Sequence, residues 1–120
     1  MRFDSESERL LEVETEKVGE AIVIHVAGHL NDYAADGLSA ELDEILGSEE
    51  RRIIFELGEV MFLGSTALGQ IMRAYRAAKE AEGYVRIANP QPLIAELLRL
   101  TKLDKIMRVY PSLEEALQGA

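Results

Sequence analysis

Two adjacent hydroxyl residues, Ser65 and Thr66, sit inside the stretch VMFLGSTALGQIMRAYRAA, between an apolar run and an amphipathic segment. Hydroxyls so placed could attack an acyl group, accept a phosphoryl group, or bond the open N–H groups of a helix's first turn. Acyl attack needs a base, and the only histidines are His25 and His29. The nucleophile elbow G-x-S-x-G is absent, so serine hydrolysis is set aside and the chain is read as a non-enzyme. His25 reads as a packed or edge-facing strand residue. His29 reads as a loop residue beside the hydroxyls, where it could help to bind a partner. Without an H-E-x-x-H spacing the two form no metal site. Neither G-x-x-x-x-G-K-[ST] nor G-x-G-x-x-G matches, which argues against nucleotide binding and leaves no implied cofactor.

Capping is the plain reading of Ser65, a natural helix N-cap whose hydroxyl would be worth ~1 kcal/mol. It accounts for one hydroxyl only. Gly64 and Ala67 are small, so they leave both hydroxyls uncovered by bulky neighbours, and a bare site suits docking or modification. A phosphate on Ser65 would add roughly −1.5 to −2 charges beside the positive end of a helix dipole, so the fold would tolerate it while the local surface changed sign and shape.

The elements that must carry this site follow from periodicity. Leu10–Lys17 alternates, Val18-Gly19-Glu20 suits a turn, and Ala21–Ala27 (AIVIHVA) is β-branched, so a hairpin is predicted. Asn31 or Asp32 would cap a helix with apolar positions Ala35, Leu38, Leu42, Ile45 and Leu46, closed by Gly47. Ile53–Leu57 is apolar on both faces, as a central strand would be. Beyond a loop comes the hydroxyl-bearing helix, its apolar face Leu68, Ile71, Met72, Tyr75 and Ala78, its end at Gly83, and Gln70, Arg73, Arg76 and Lys79 on the far face. Ala67, Leu68 and Gly69 are expected to pack closely on the sheet, Gly69 admitting a neighbouring element. Tyr84–Asn89 is a strand stopped by Pro90 and Pro92, and a helix follows with Leu93, Leu97, Leu98 and Leu100. Lys105–Tyr110 reads as a short edge strand, and Ser112 with Glu115 has capping-box spacing for a last helix holding Leu113, Ala116 and Leu117. This alternation predicts an α/β fold, a mixed sheet packed by helices.

The whole chain, 120 residues with no repeat or linker, reads as one domain, with residues 1–9 as a flexible N-terminal segment. A net charge of −9 argues against direct nucleic-acid binding. No cysteine is present, so disulfides and thiolate metal sites are excluded. The N-terminus lacks the apolar core of a signal peptide, and no apolar run approaches the ~20 residues that span a bilayer, so a cytoplasmic protein without membrane insertion is expected. It would be a monomer or a weak homodimer.

FLGSTALG resembles the signature loop of the STAS domain of bacterial anti-sigma factor antagonists: an apolar pair, an acid, two hydroxyl residues, then Gly-Leu-Gly. HVAGHLNDYAADGLSAEL resembles that family's Gly-Glu-Leu-Asp segment and first helix, and GYVRIANPQPLIAELLRLTKLDKIMRVYPSLEEAL its C-terminal half, so the likeness covers nearly all of the chain. It implies a module that captures an anti-sigma factor serine kinase, so freeing a sigma factor, and that loses affinity when the kinase phosphorylates a serine. A phosphatase would reverse the mark. By motif position the serine is Ser65, with Thr66 as the alternative. The partner surface implied comprises His29, Asn31, Asp32, Phe62, Leu63, Gly64, Ser65, Thr66 and Ala67, with Arg73 at its border. Here Gly64 and Asn31 stand where the family commonly has acids, and Ala67 where it has Gly. A constitutive STAS interaction subunit of a signalling or lipid-transport assembly, with no phosphorylation, is the alternative function.

Overall fold

A computed structural model describes residues 11–31 and 35–119. The segment 1–9 and Asp32 therefore lie outside the described residues. β1 (Leu11–Val18) and β2 (Ala21–Leu30) form the expected antiparallel hairpin, Val18 facing Ala21 across a turn in which Gly19 takes φ +60. Three βα units follow: α1 (Ala35–Gly47) after β2, then β3 (Arg52–Leu63) with α2 (Ser65–Glu80), and β4 (Tyr84–Ala88) with α3 (Pro92–Leu100). A 3₁₀ turn at Leu103–Lys105 leads to β5 (Val109–Tyr110) and α4 (Leu113–Gln118).

The sheet order is β1-β2-β3-β4-β5, with β2 through β5 parallel. Right-handed crossovers that always step in one direction place their helices on one face. Accordingly the larger core joins α1, α2 and α3 to the same side of the sheet, around Ile24, Val26, Ile53, Phe55 and Leu57. α4, which follows the last strand, covers part of the other face through Ala116, packed with Ala21, Val23, Ile54 and Tyr110. β3 is central, and its consecutive buried residues Ile53, Ile54 and Phe55 serve both cores.

Several sequence expectations change. β3 continues six residues past Leu57 because it carries two bulges: register slips against β2 between His25 and Ala27 and between Gly28 and His29. Its core-facing residues thus step by two from Ile53 to Phe55 and Leu57, then by three to Val60 and Leu63. Strict alternation cannot follow that change of phase. β2 likewise extends to Leu30, which moves His29 from a loop into a strand end, paired with Phe62. The expected strand Lys105–Tyr110 shrinks to Val109–Tyr110, since the 3₁₀ turn takes up its start.

On α2 the buried line is Ala67, Ile71, Ala74 and Ala78, while Leu68, Met72 and Tyr75 flank it half-buried. Small residues on that line bring the helix close to the sheet, and the larger side chains fill the margins. Gly69 is not in this contact. It is exposed, and a Cβ there would meet nothing within 4 Å, so the close packing expected of it is corrected. Gly83 lies beyond the helix end at Glu80, and Glu82 takes the positive φ of 61 instead. Gly83 is needed for space, because a Cβ would come within 1.9 Å of the Arg51 carbonyl oxygen.

Candidate functional site

The C-terminal ends of parallel β2 and β3 lie side by side, so the helices that follow them both begin at the same edge of the sheet. Backbone bonds fix this edge. Gly64 N–H donates to the Leu30 carbonyl at 2.8 Å, Ala35 N–H to the Asn31 carbonyl at 2.9 Å, and Leu68 N–H to the Gly64 carbonyl at 3.0 Å. The last bond makes Gly64 the N-cap of α2, with extended φ −83 and ψ 174 and no side chain to cap it.

Ser65 is therefore the first helical residue, not the cap, which corrects the sequence reading. The reason is the length of β3: once its bulges carry the strand to Leu63, a single residue remains to turn the chain into α2. Ser65 and Thr66 are both exposed, and among the described residues neither hydroxyl has a hydrogen-bond partner. The first-turn N–H groups and the dipoles of α1 and α2 give this edge a positive backbone potential. That potential suits an added negative charge on Ser65.

The structure brings His29, Asn31, Phe62, Leu63, Gly64, Ser65, Thr66 and Ala67 to this one edge. Their exposure differs: His29 and Phe62 face solvent, Asn31 and Gly64 are half-buried, and Leu63 and Ala67 belong to the core. Arg73 is half-buried and engaged with α1 at the surface. Its guanidinium meets Asp43 at 2.8 Å and the Ser39 carbonyl at 3.2 Å, and its Nε donates to Gln70 at 3.1 Å, tying α2 to α1. Arg76 and Lys79 remain on the exposed side, as expected.

Sequence reasoning missed the apolar neighbour of the site. The second bulge turns both Met61 and Phe62 outward, 53% and 48% exposed, toward α3, whose Leu93 and Leu100 are 73% and 63% exposed. Together they border an open groove of about 250 Å³. Gln91 holds α3 beside the bulged strand, its Nε2 donating to the Gly58 carbonyl at 2.9 Å and lying 3.6 Å from Met61 Sδ. The signal was available, since nine-residue α3 carries two apolar stripes, Ile94 with Leu98 and Leu93 with Leu97 and Leu100, and one helix face can bury only one against the sheet. Leu93 and Leu100 thus stand outside the core. On the other sheet face, His25 bonds Glu16 at 2.7 Å beside Glu14, Glu56 and Glu59, a strand residue far from the hydroxyls in register.

A family model described as the STAS domain matches residues 12–116. The anti-sigma F factor antagonist of Paenibacillus polymyxa is 25% identical over 108 residues, 89% of this chain and 92% of that protein. The crystal structure of an anti-sigma factor antagonist from Mycobacterium paratuberculosis superposes with a TM-score of 0.83 at 24% identity, covering 91% of this chain and 92% of that one. The phosphorylated form of the Bacillus cell fate determinant SpoIIAA superposes at 0.71 and 22% identity, covering 89% and 97% respectively. At these identities the two solved structures share the fold with this chain.

Proposed function

This chain belongs to the STAS domain family, and from that premise we propose that it is an anti-sigma factor antagonist: a cytoplasmic, non-enzymatic module that captures an anti-sigma factor kinase and is switched by phosphorylation of Ser65. One observation carries the reading. Ser65 is exposed at the first position of α2, its hydroxyl without a partner among the described residues, beside the exposed Phe62 and His29. A hydroxyl that stabilises nothing in the fold is open to an enzyme. The phosphate would be accommodated by the helix N-terminus, while a docked partner would have to desolvate it. Thr66, equally exposed, is the alternative acceptor.

A constitutive interaction subunit is the second reading, favoured by Gly64 and Asn31 in place of the family's usual acids. Incubation with the purified kinase partner and ATP separates the two, with the modified residue mapped by mass spectrometry and binding measured before and after. Modification of Ser65 with loss of binding is the expected result. Modification of Thr66 moves the switch by one residue. Modification of neither hydroxyl, with Ser65→Asp binding normally, leaves the constitutive subunit.

A further inference from the structure

Gly58 is the extra residue of the first bulge in β3. His25 faces Glu56 and Ala27 faces Glu59, so Leu57 and Gly58 together oppose Val26, and a bulge leaves its inserted residue outside the ladder. Side chains take the place of β2 there. Gly58 N–H donates to Glu56 Oε1 at 3.0 Å, and the Gly58 carbonyl accepts from Gln91 Nε2 at 2.9 Å. The other carboxylate oxygen of Glu56 accepts from Asn89 Nδ2 at 2.9 Å. Asn89 is itself fixed: its N–H donates to the Tyr110 carbonyl at 2.8 Å, and its φ of 58 is a left-handed value that Asn adopts more readily than most residues. A Cβ on Gly58 would collide with the Asn89 amide, so glycine leaves the room in which this network closes.

The bulge decides what stands at the hydroxyl edge. Each of the two slips advances β3 by one residue against β2, so Leu63, and not Met61, lies opposite Leu30, and the next N–H, that of Gly64, reaches the Leu30 carbonyl. α2 then begins at Ser65. We propose that Glu56, Asn89 and Gln91 are positioning residues for this site: they hold the first bulge, and with it the register that presents Ser65 at the first position of α2. The inference rests on the reading of Ser65 as the phosphorylated residue and adds the residues that place it. Without the first bulge, Glu59 would take the buried place of Val60 opposite Gly28, and Phe62 that of Leu63 opposite Leu30. Burying an unpaired carboxylate is costly, so release of the bulge loosens the end of β3 and the start of α2 instead of settling them in a new register.

The test compares Glu56→Ala and Glu56→Gln with the parent by amide hydrogen exchange in NMR. In Glu56→Ala the Gly64 and Leu68 N–H groups, which fix the start of α2, should exchange about tenfold faster, while the amides of the β1–β2 ladder keep their parent rates. Glu56→Gln should restore the parent pattern, because its Oε1 can accept from Gly58 and its Nε2 can donate to the flipped Asn89 amide. If Glu56→Ala does not fold, Asn89→Gly carries the same expectation, since it keeps the left-handed backbone and removes only the amide. Unchanged exchange at Gly64 and Leu68, equal acceleration throughout the sheet, or no rescue by Gln overturns the assignment. The functional arm expresses the same variants in the native cell and reads the fraction phosphorylated at Ser65 by phosphate-affinity electrophoresis and mass spectrometry. That fraction should fall about fivefold in Glu56→Ala and return in Glu56→Gln, and an unchanged fraction despite faster exchange overturns the positioning role. A parent chain without phosphate at Ser65 or Thr66 overturns the functional reading instead, and the exchange rates still report on the bulge, so the two failures are told apart.

Discussion

Ser65 and Ser112 present the same local pattern, a serine leading into a helix, yet they do different work. Ser112 is a true N-cap: its backbone is extended, φ −147 and ψ 159, and its Oγ accepts the Glu115 N–H at 3.1 Å. Ser65 sits one residue further along, inside α2, behind a glycine that caps with backbone alone. A one-residue offset converts a structural hydroxyl into an uncommitted one. What the pair teaches is that the register of the preceding segment, more than residue type, decides which serine the fold uses.

The comparison can be broken most decisively at Ser65. Ser65→Asp should preserve the fold, since a carboxylate at a helix N-terminus is stabilising by a few tenths to ~1 kcal/mol. It should weaken the proposed kinase complex by about a hundredfold, ~3 kcal/mol, because the charge must be desolvated on docking. Ser65→Ala should bind like the parent. Calorimetric titration of both variants checks this, and equal binding by Ser65→Asp would end the contrast.

A smaller effect is expected on stability, and in the opposite place. Ser112→Ala should cost ~1 kcal/mol in urea denaturation by removing a cap, whereas Ser65→Ala should stay within roughly 0.5 kcal/mol of the parent because no cap is lost. Equal losses would mean that both serines cap.

Gly69 sharpens the same point within α2. It is exposed, in a helix, with open space where a Cβ would stand. Gly69→Ala should therefore stabilise by about 0.5–1 kcal/mol, read as a raised melting temperature. Destabilisation would restore the close packing that the sequence suggested.

The smallest effect concerns Glu96 beside the groove. A side-chain hydrogen bond from Arg99, aided by its charge and opposed by desolvation, holds the Glu96 carboxyl below its ordinary value. A depressed folded-state pKa gives stability that is present above the unfolded pKa and lost as pH falls through the folded one. Because the pair is exposed, that contribution is slight. Arg99→Ala should raise the Glu96 midpoint in an NMR titration while leaving neutral-pH stability nearly unchanged; an unmoved midpoint would mean that the pair does not persist in solution.

Legibility in the sequence differed by element. The hairpin, α1, the central position of β3 and the Ser112 cap all follow from local patterns, and each stands where those patterns place it. The start of α2 at Gly64-Ser65-Thr66 was legible because small residues after an apolar run mark a helix start whatever its exact register. The errors share a cause. β3 was cut short at Leu57 because its bulges change the phase of the core-facing residues, and that error led to a loop before α2 and a capping Ser65. Which apolar stripe of α3 faces the sheet was not legible, because either satisfies helical spacing equally well, and the structure leaves Leu93 and Leu100 exposed.

By itself, then, the sequence determined the order and type of the elements, the single sheet they build, and the neighbourhood of the two exposed hydroxyls. Those properties rest on periodicity, turn residues and composition, which act over a few residues. Tertiary structure alone decided that Ser65 lies past the cap, that Arg73 is taken up by Asp43, and that Met61 and Phe62 meet Leu93 and Leu100 across a groove. Each of these depends on the register between β2 and β3 or on which helix stripe faces the sheet. Such choices are settled by neighbours distant in sequence, because burying one face of an element necessarily exposes another.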